Sequence, residues 1–232
     1  MYRYIAMCHQ QYVAPAVDTR GFRFYVALMT TGTDWPALYR ANVEALAGLA
    51  GDLSNEQLST RVPATPDWDV HDLLSHMAGG AADLVHDRMD GAPSSEWTAS
   101  HVTQRSARSA AELAQELRDN ANDVAAKVAE TERPVIVWDL VVHHADLHEA
   151  LGLGAMPEEL WAPVLEAAAA MRLGEESGQV RSATSGYELF RALFSRRSRG
   201  QLAGWDVPGY DGDRLADLGI FGAREDDQPV PA

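Results

Sequence analysis

Two histidines one helical turn apart, His144 and His148, are the sharpest chemistry-bearing pair in the chain. At about 100° per residue, a helix from Val135 to Leu151 gathers Ile136, Val137, Leu140, Val141, Leu147 and Leu151 on one face, and both histidines fall inside that arc. Buried imidazoles need partners for their ring nitrogens. One divalent cation satisfies two of them together, because side chains at i and i+4 can converge on it. A third ligand can come from His76, at the edge of the apolar stripe of another helix, if the two helices are neighbours. Imidazole suits Zn, Fe, Ni or Cu, so the donors do not choose the metal. The competing reading is that His144 and His148 make buried hydrogen bonds to carbonyls or carboxylates and that His76 lies on the surface.

The remaining histidines are less informative. His143 and Asp146, also one turn apart, lie at the margin of the arc and read as a solvated pair, or one that orients the true ligands, in preference to ligands themselves. His148-Glu149 begins like the H-E-x-x-H zinc-protease helix, but Gly152 stands where the second histidine would be. His71 and His86 sit on other helix faces and read as solvated; His9 and His101 have no visible partners. Neither a Gly-rich phosphate loop nor a nucleophile-elbow serine is present. The single cysteine, Cys8, excludes an intrachain disulfide and a thiolate cluster, so a metal must rest on His, Asp or Glu.

The elements that must position these residues read as helices. The first spans about Trp35 to Leu53, with Asp34 as N-cap and Pro36 in its first turn; a loop with Pro63 and Pro66 follows. Asp69 caps a second, from Val70 to about Met89. A third covers about Ala107 to Glu130, and Pro134 opens the fourth, Val135 to Leu151, closed by Gly152 and Gly154. Four helices without strand patterns indicate an all-α bundle over 34–152. Residues 153–225 read as a small C-terminal subdomain, helical or α/β, with helices near 158–173 and 187–202. Residues 226–232 read as a frayed tail. Residues 1–33 lack a sustained period and read as a poorly ordered extension. Met29, just before a polar stretch and a good helix start, is an alternative start.

Acidic residues outnumber basic ones 34 to 19, for a formal charge of −15, which disfavours nucleic acid and anionic membrane as partners. The N-terminal apolar stretch is too short for a signal peptide and no run reaches membrane-spanning length, so a cytoplasmic location is expected. Lys127 is the single lysine among the 19 basic residues, a bias that suggests GC-rich coding and a bacterial source.

The stretch Val62-Pro63-Ala64-Thr65-Pro66-Asp67-Trp68-Asp69-Val70-His71-Asp72-Leu73-Leu74-Ser75-His76 resembles the Pro-x-Trp-x-Val-x-Asp-Leu-Leu-x-His motif of the mycothiol-dependent maleylpyruvate isomerase family, within the DinB-like superfamily of metal-binding four-helix bundles. In that motif the last His is the first ligand. Val142-His143-His144-Ala145-Asp146-Leu147-His148 is similar to the family's last bundle helix, where a ligand His follows a Glu by four residues. With His144 at the Glu position, the set becomes three histidines with one less negative charge. The similarity covers about residues 34–200 and extends to Tyr187–Ser198.

The resemblance implies a DinB-like bundle holding a divalent metal on His76, His144 and His148, zinc first, with nickel or iron as alternatives. It further implies mycothiol as thiol cosubstrate. Arg191, Arg196, Arg197 or Arg199 would clamp a substrate or thiol carboxylate. The implied activity is isomerase or S-transferase on a small electrophile, by a monomer or homodimer: the thiolate adds to a conjugated alkene and leaves, or stays attached. The alternatives are a thiol-independent metal-water hydrolase and a non-catalytic, metal-stabilised binding or regulatory module.

Overall fold

A computed structural model describes residues 32–131 and 134–231, and the expected N-terminal extension, with Met29 and Cys8, lies outside them except for its last residues. The chain clusters into two compact units, one from Asp34 to Met156 and the other from Pro157 to Val230. Both are helical. Among the described residues the one β-type pairing is an isolated bridge between Arg61 and Asp69.

The first unit contains α1 (Trp35–Asp52), the short α2 (Asn55–Leu58), α3 (Val70–Val85), α4 (Ser95–Arg105), α5 (Ala110–Ala129) and α6 (Val135–Ala150). Local chemistry fixes most of the starts. Asp34 accepts the Ala37 N–H at 2.8 Å, with Pro36 in the first turn, while Asp69 with Asp72 and Ser109 with Glu112 form reciprocal capping boxes. The helix end that matters most is that of α3. It stops at Val85, short of the expected Met89, because Asp87 turns left-handed (φ +54°) and the Arg88 N–H returns to the Asp83 carbonyl at 2.8 Å. This pattern closes a helix by satisfying its last carbonyls.

α1, α3, α5 and α6 form the bundle: α5 packs on α1 and α3, α6 on α1 and α3, and α4 lies against α3. Leu46, Leu73, Leu74, Leu113, Leu117 and Leu147 are fully enclosed, each contributing about 1.5–3 kcal/mol of burial free energy. Most of α6 is enclosed too, including His143, His144, Asp146 and Glu149. Asp146, expected at the margin of the apolar arc as a solvated or ligand-orienting partner of His143, is thus buried. Packed against two other helices, α6 encloses most of the polar residues of its second half, which must find partners inside.

The second unit contains α7 (Glu158–Leu173), α8 (Ser177–Arg181), α9 (Gly186–Leu193), α10 (Arg199–Leu202) and α11 (Gly212–Ala216). An aromatic cluster of Trp161, Tyr187, Phe190 and Phe194 joins α7 to α9. The tail is pinned here: buried Gln228 exchanges hydrogen bonds with Gln201.

Candidate metal centre

The Nε2 atoms of His76 on α3 and His143 on α6 face the same carboxylate, that of Asp139 one turn before His143. The separations are 3.4 Å from His76 to one oxygen and 3.5 Å from His143 to the other. The donor atoms of His76, Asp139 and His143 all lie within 4.8 Å of one another. Both rings are buried and Asp139 is half-buried, so the group has one partly open side.

Each imidazole is held from behind. His143 donates from Nδ1 to Asp146 at 3.0 Å, which leaves Nε2 towards Asp139. Behind His76 stands a longer chain: His101 on α4 meets Asp83 at 3.0 Å through Nε2, and Asp83 also takes Arg88 Nε at 2.9 Å. Asp83 is a carboxylate, since the bonds from His101 and Arg88 outweigh burial and lower its pKa, so His101 carries its proton on Nε2. Burial keeps His101 below its ordinary pKa despite the Asp83 bond, so its Nδ1 is bare and accepts the His76 Nδ1–H at 3.2 Å. The His76 ring is thereby held with Nε2 towards Asp139. Fixing a ligand imidazole through its other nitrogen in this way is how metal-binding histidines are oriented.

The charges are arranged to receive a cation. Burial would raise the Asp139 pKa, but the charge and hydrogen bond of His143 and the contact with His76 hold it well below the carboxylate range. Burial would lower His143, yet Asp139 and Asp146 push it up to about 9, so without a cation the ring takes a proton to answer Asp139. A proton at that nitrogen stands where a divalent ion would bind. The Tyr39 hydroxyl, buried on α1, has no hydrogen-bond partner among the described residues, and burial together with the nearby Asp139 charge raises its pKa. An orphaned donor beside two imidazoles and one carboxylate fits a group that binds a metal and a further ligand.

Two indoles wall the group. Trp68 lies 5.0 Å from the His76 ring and 6.4 Å from His143; Trp97 sits edge-on, 6.2 Å from His76 and 4.2 Å from His101. Trp68 is carried on a loop closed by Val62 N–H to Trp68 O at 3.0 Å and Trp68 N–H to Thr65 O at 2.8 Å. His101 reaches His76 because Gly79 has no side chain. A Cβ there would stand 2.4 Å from the imidazole Cγ.

Of the expected ligands, His76 is in this group, whereas His144 and His148 are not brought to it. His144 lies about 100° further round α6 than His143 and bonds through Nδ1 to Asn42 at 2.9 Å; His148 bonds to the Gly154 carbonyl at 3.3 Å. Burial, with His148 nearby, lowers the His144 pKa to about 3, and burial lowers His148 as well. The acid-to-His spacing of four that seemed to require His144 in place of an acid is present five residues earlier, as Asp139 and His143. Neither residue was expected as a ligand, and His101 was assigned nothing. The i,i+4 spacing of Asp139 and His143 was the available signal. For His101 there was none, because its contacts depend on where α4 docks.

The expected arginine clamp also finds other work within its own unit. Arg197, 2 % exposed, closes on Glu188 with two bonds of 2.6 Å; Arg196 donates to the Phe194 carbonyl; Arg199 pairs with Asp213 and Glu225; Arg191 is fully enclosed. The planar fork of Arg197, which would grip a ligand carboxylate, already grips one of the chain's own.

Residues 39–168 match the family described as the mycothiol maleylpyruvate isomerase N-terminal domain. No curated protein and no solved structure gives a match.

Proposed function

Because the chain belongs to the mycothiol maleylpyruvate isomerase N-terminal domain family, with the match spanning more than half its length, we propose that it is a metal-dependent enzyme whose thiol cosubstrate is mycothiol. It acts as an isomerase or S-transferase on a small electrophile. His76, Asp139 and His143 hold the ion. The observation that carries this reading is the convergence of those three donors, each imidazole set by its own partner behind it. Zinc suits two imidazoles and one carboxylate, with nickel or iron as alternatives.

Three protein donors leave a position for an outside ligand. When bound, the cation supplies Lewis acidity that lowers the pKa of a thiol, making thiolate available near neutral pH. The chain's residues do the rest. Asp139 offsets one of the cation's charges, and the Asp83–His101 and Asp146 contacts keep the two imidazoles in one tautomer. Trp68 and Trp97 exclude water from one side of the site, and Tyr39 is available to donate to an oxygen of the bound substrate.

The test is a thiol-dependence assay on purified zinc-loaded protein with a panel of α,β-unsaturated acids and other electrophiles. Turnover that requires mycothiol supports the proposal. Equal rates with and without the thiol would overturn it, and ester or amide cleavage without thiol would instead identify a metal-water hydrolase. The small-molecule chemistry and the acidic net charge suit a cytoplasmic enzyme. No helix among the described residues is long and apolar enough to cross a membrane.

A further inference from the structure

The histidine pair outside the proposed centre carries a second consequence. Asn42 donates through Nδ2 to the Leu38 carbonyl at 3.0 Å, which fixes its amide and turns Oδ1 towards His144. An amide oxygen only accepts, so His144 Nδ1 carries the proton and Nε2 is a bare lone pair. His148 stands in the same state. Its Nδ1 partner is the Gly154 carbonyl, presented by the Gly152–Gly154 turn in which Gly152 (φ +65°) and Gly154 (φ +80°) are left-handed. The turn is closed by the Leu153 N–H returning to the His148 carbonyl at 2.9 Å. Neither Nε2 has a protein partner among the described residues.

Two imidazoles one turn apart, both fixed through Nδ1 and both offering Nε2, are arranged as a chelate. An ion about 2.0–2.1 Å from two ring nitrogens in tetrahedral geometry sets the ring centres roughly 5 Å apart. Those of His144 and His148 are 5.1 Å apart at 71°. We infer that His144 and His148 form a second site, separate from the His76–Asp139–His143 group, for a late first-row divalent ion such as Zn²⁺ or Cu²⁺. Two neutral nitrogens without a carboxylate select against Mg²⁺ and Ca²⁺, which take oxygen ligands. No third His, Cys, Asp or Glu among the described residues converges on the pair, so the remaining positions go to water or a small ligand. The site is therefore weaker than the first. It fills at higher free ion, and Asn42 and the Gly154 carbonyl orient its ligands as Asp146 and His101 orient theirs.

The experiment is zinc binding by equilibrium dialysis over a wide range of free Zn²⁺, with imidazole ¹⁵N spectra recorded alongside. The wild-type chain is expected to bind one tight equivalent and then one weaker equivalent, the second shifting the Nε2 signals of His144 and His148. His148→Gln, at a half-exposed position, removes the second equivalent and keeps the first; Asn42→Ala weakens the second about 10–100-fold. His143→Ala does the reverse, losing the first and keeping the second. A wild type that takes up no second equivalent, or one that survives His148→Gln, would overturn the inference. Loss of the tight equivalent in His148→Gln would also overturn it, by making the pair part of the first centre.

Discussion

His101 is the side chain on which the His76 geometry most depends, since it receives the His76 Nδ1–H and passes the contact to Asp83. His101→Ala is expected to weaken zinc binding about 10–100-fold, measured by competition with a chromophoric chelator; an unchanged affinity would remove its orienting role. Tyr39→Phe deletes a buried hydroxyl that has no partner, so the fold should be no less stable, and the zinc content should be unchanged. Turnover should fall roughly tenfold or more if the phenol donates to substrate, and unchanged turnover would place it outside the reaction. At this scale the sequence made His76 readable through its motif, and made a pair on the last helix readable through i,i+4 spacing. It did not separate His143 from His144. Wheel reasoning assumes that an apolar arc points inward and a polar arc outward, but α6 is enclosed on both, with Asp146 at 1 % and Glu149 at 7 % exposure.

The element with the least sequence signal is α4, and it carries both Trp97 and His101. Its sequence Ser-Glu-Trp-Thr-Ala-Ser-His-Val-Thr-Gln-Arg has no apolar stripe, because its buried residues are His101 and Arg105. Periodicity of apolar residues cannot find a helix that buries polar ones. Its N-cap is Ser94, which accepts the Trp97 N–H at 3.2 Å. The docking of α4 on α3 makes a sharp prediction at Gly79. On an open helix, Gly→Ala gains about 1 kcal/mol from propensity. Here Gly79→Ala forces the His101 ring aside, and both thermal stability and zinc affinity should drop. A stabilised variant with full affinity would mean that His101 does not pack on Gly79.

For the whole molecule, the helical bundle and its four main helices followed from caps, apolar spacing and the absence of strand patterns. The enclosure of α6 did not, because it depends on how the four helices assemble. That enclosure sets a pH dependence for the metal-free protein. His144, lowered to about 3, stays neutral when folded, whereas its unfolded counterpart protonates near the ordinary value of 6.5. The unfolded chain then binds more protons between those values, and stability falls as pH drops through that window. His143, raised to about 9, contributes the opposite limb: full below 6.5 and lost as pH rises through 9. Asp139 adds to the acid limb only below its ordinary 3.8. The melting temperature of metal-free protein should therefore peak near pH 6.5, and His144→Gln should flatten the acid limb in a pH series of melts. An acid limb unaltered by that substitution would contradict the linkage. The identity of the tight ligands is tested most directly by the zinc content of wild type, His143→Ala and His148→Ala after dialysis at low free zinc. The expected result is one ion per chain in wild type and in His148→Ala, and none in His143→Ala; retention by His143→Ala with loss in His148→Ala would contradict it.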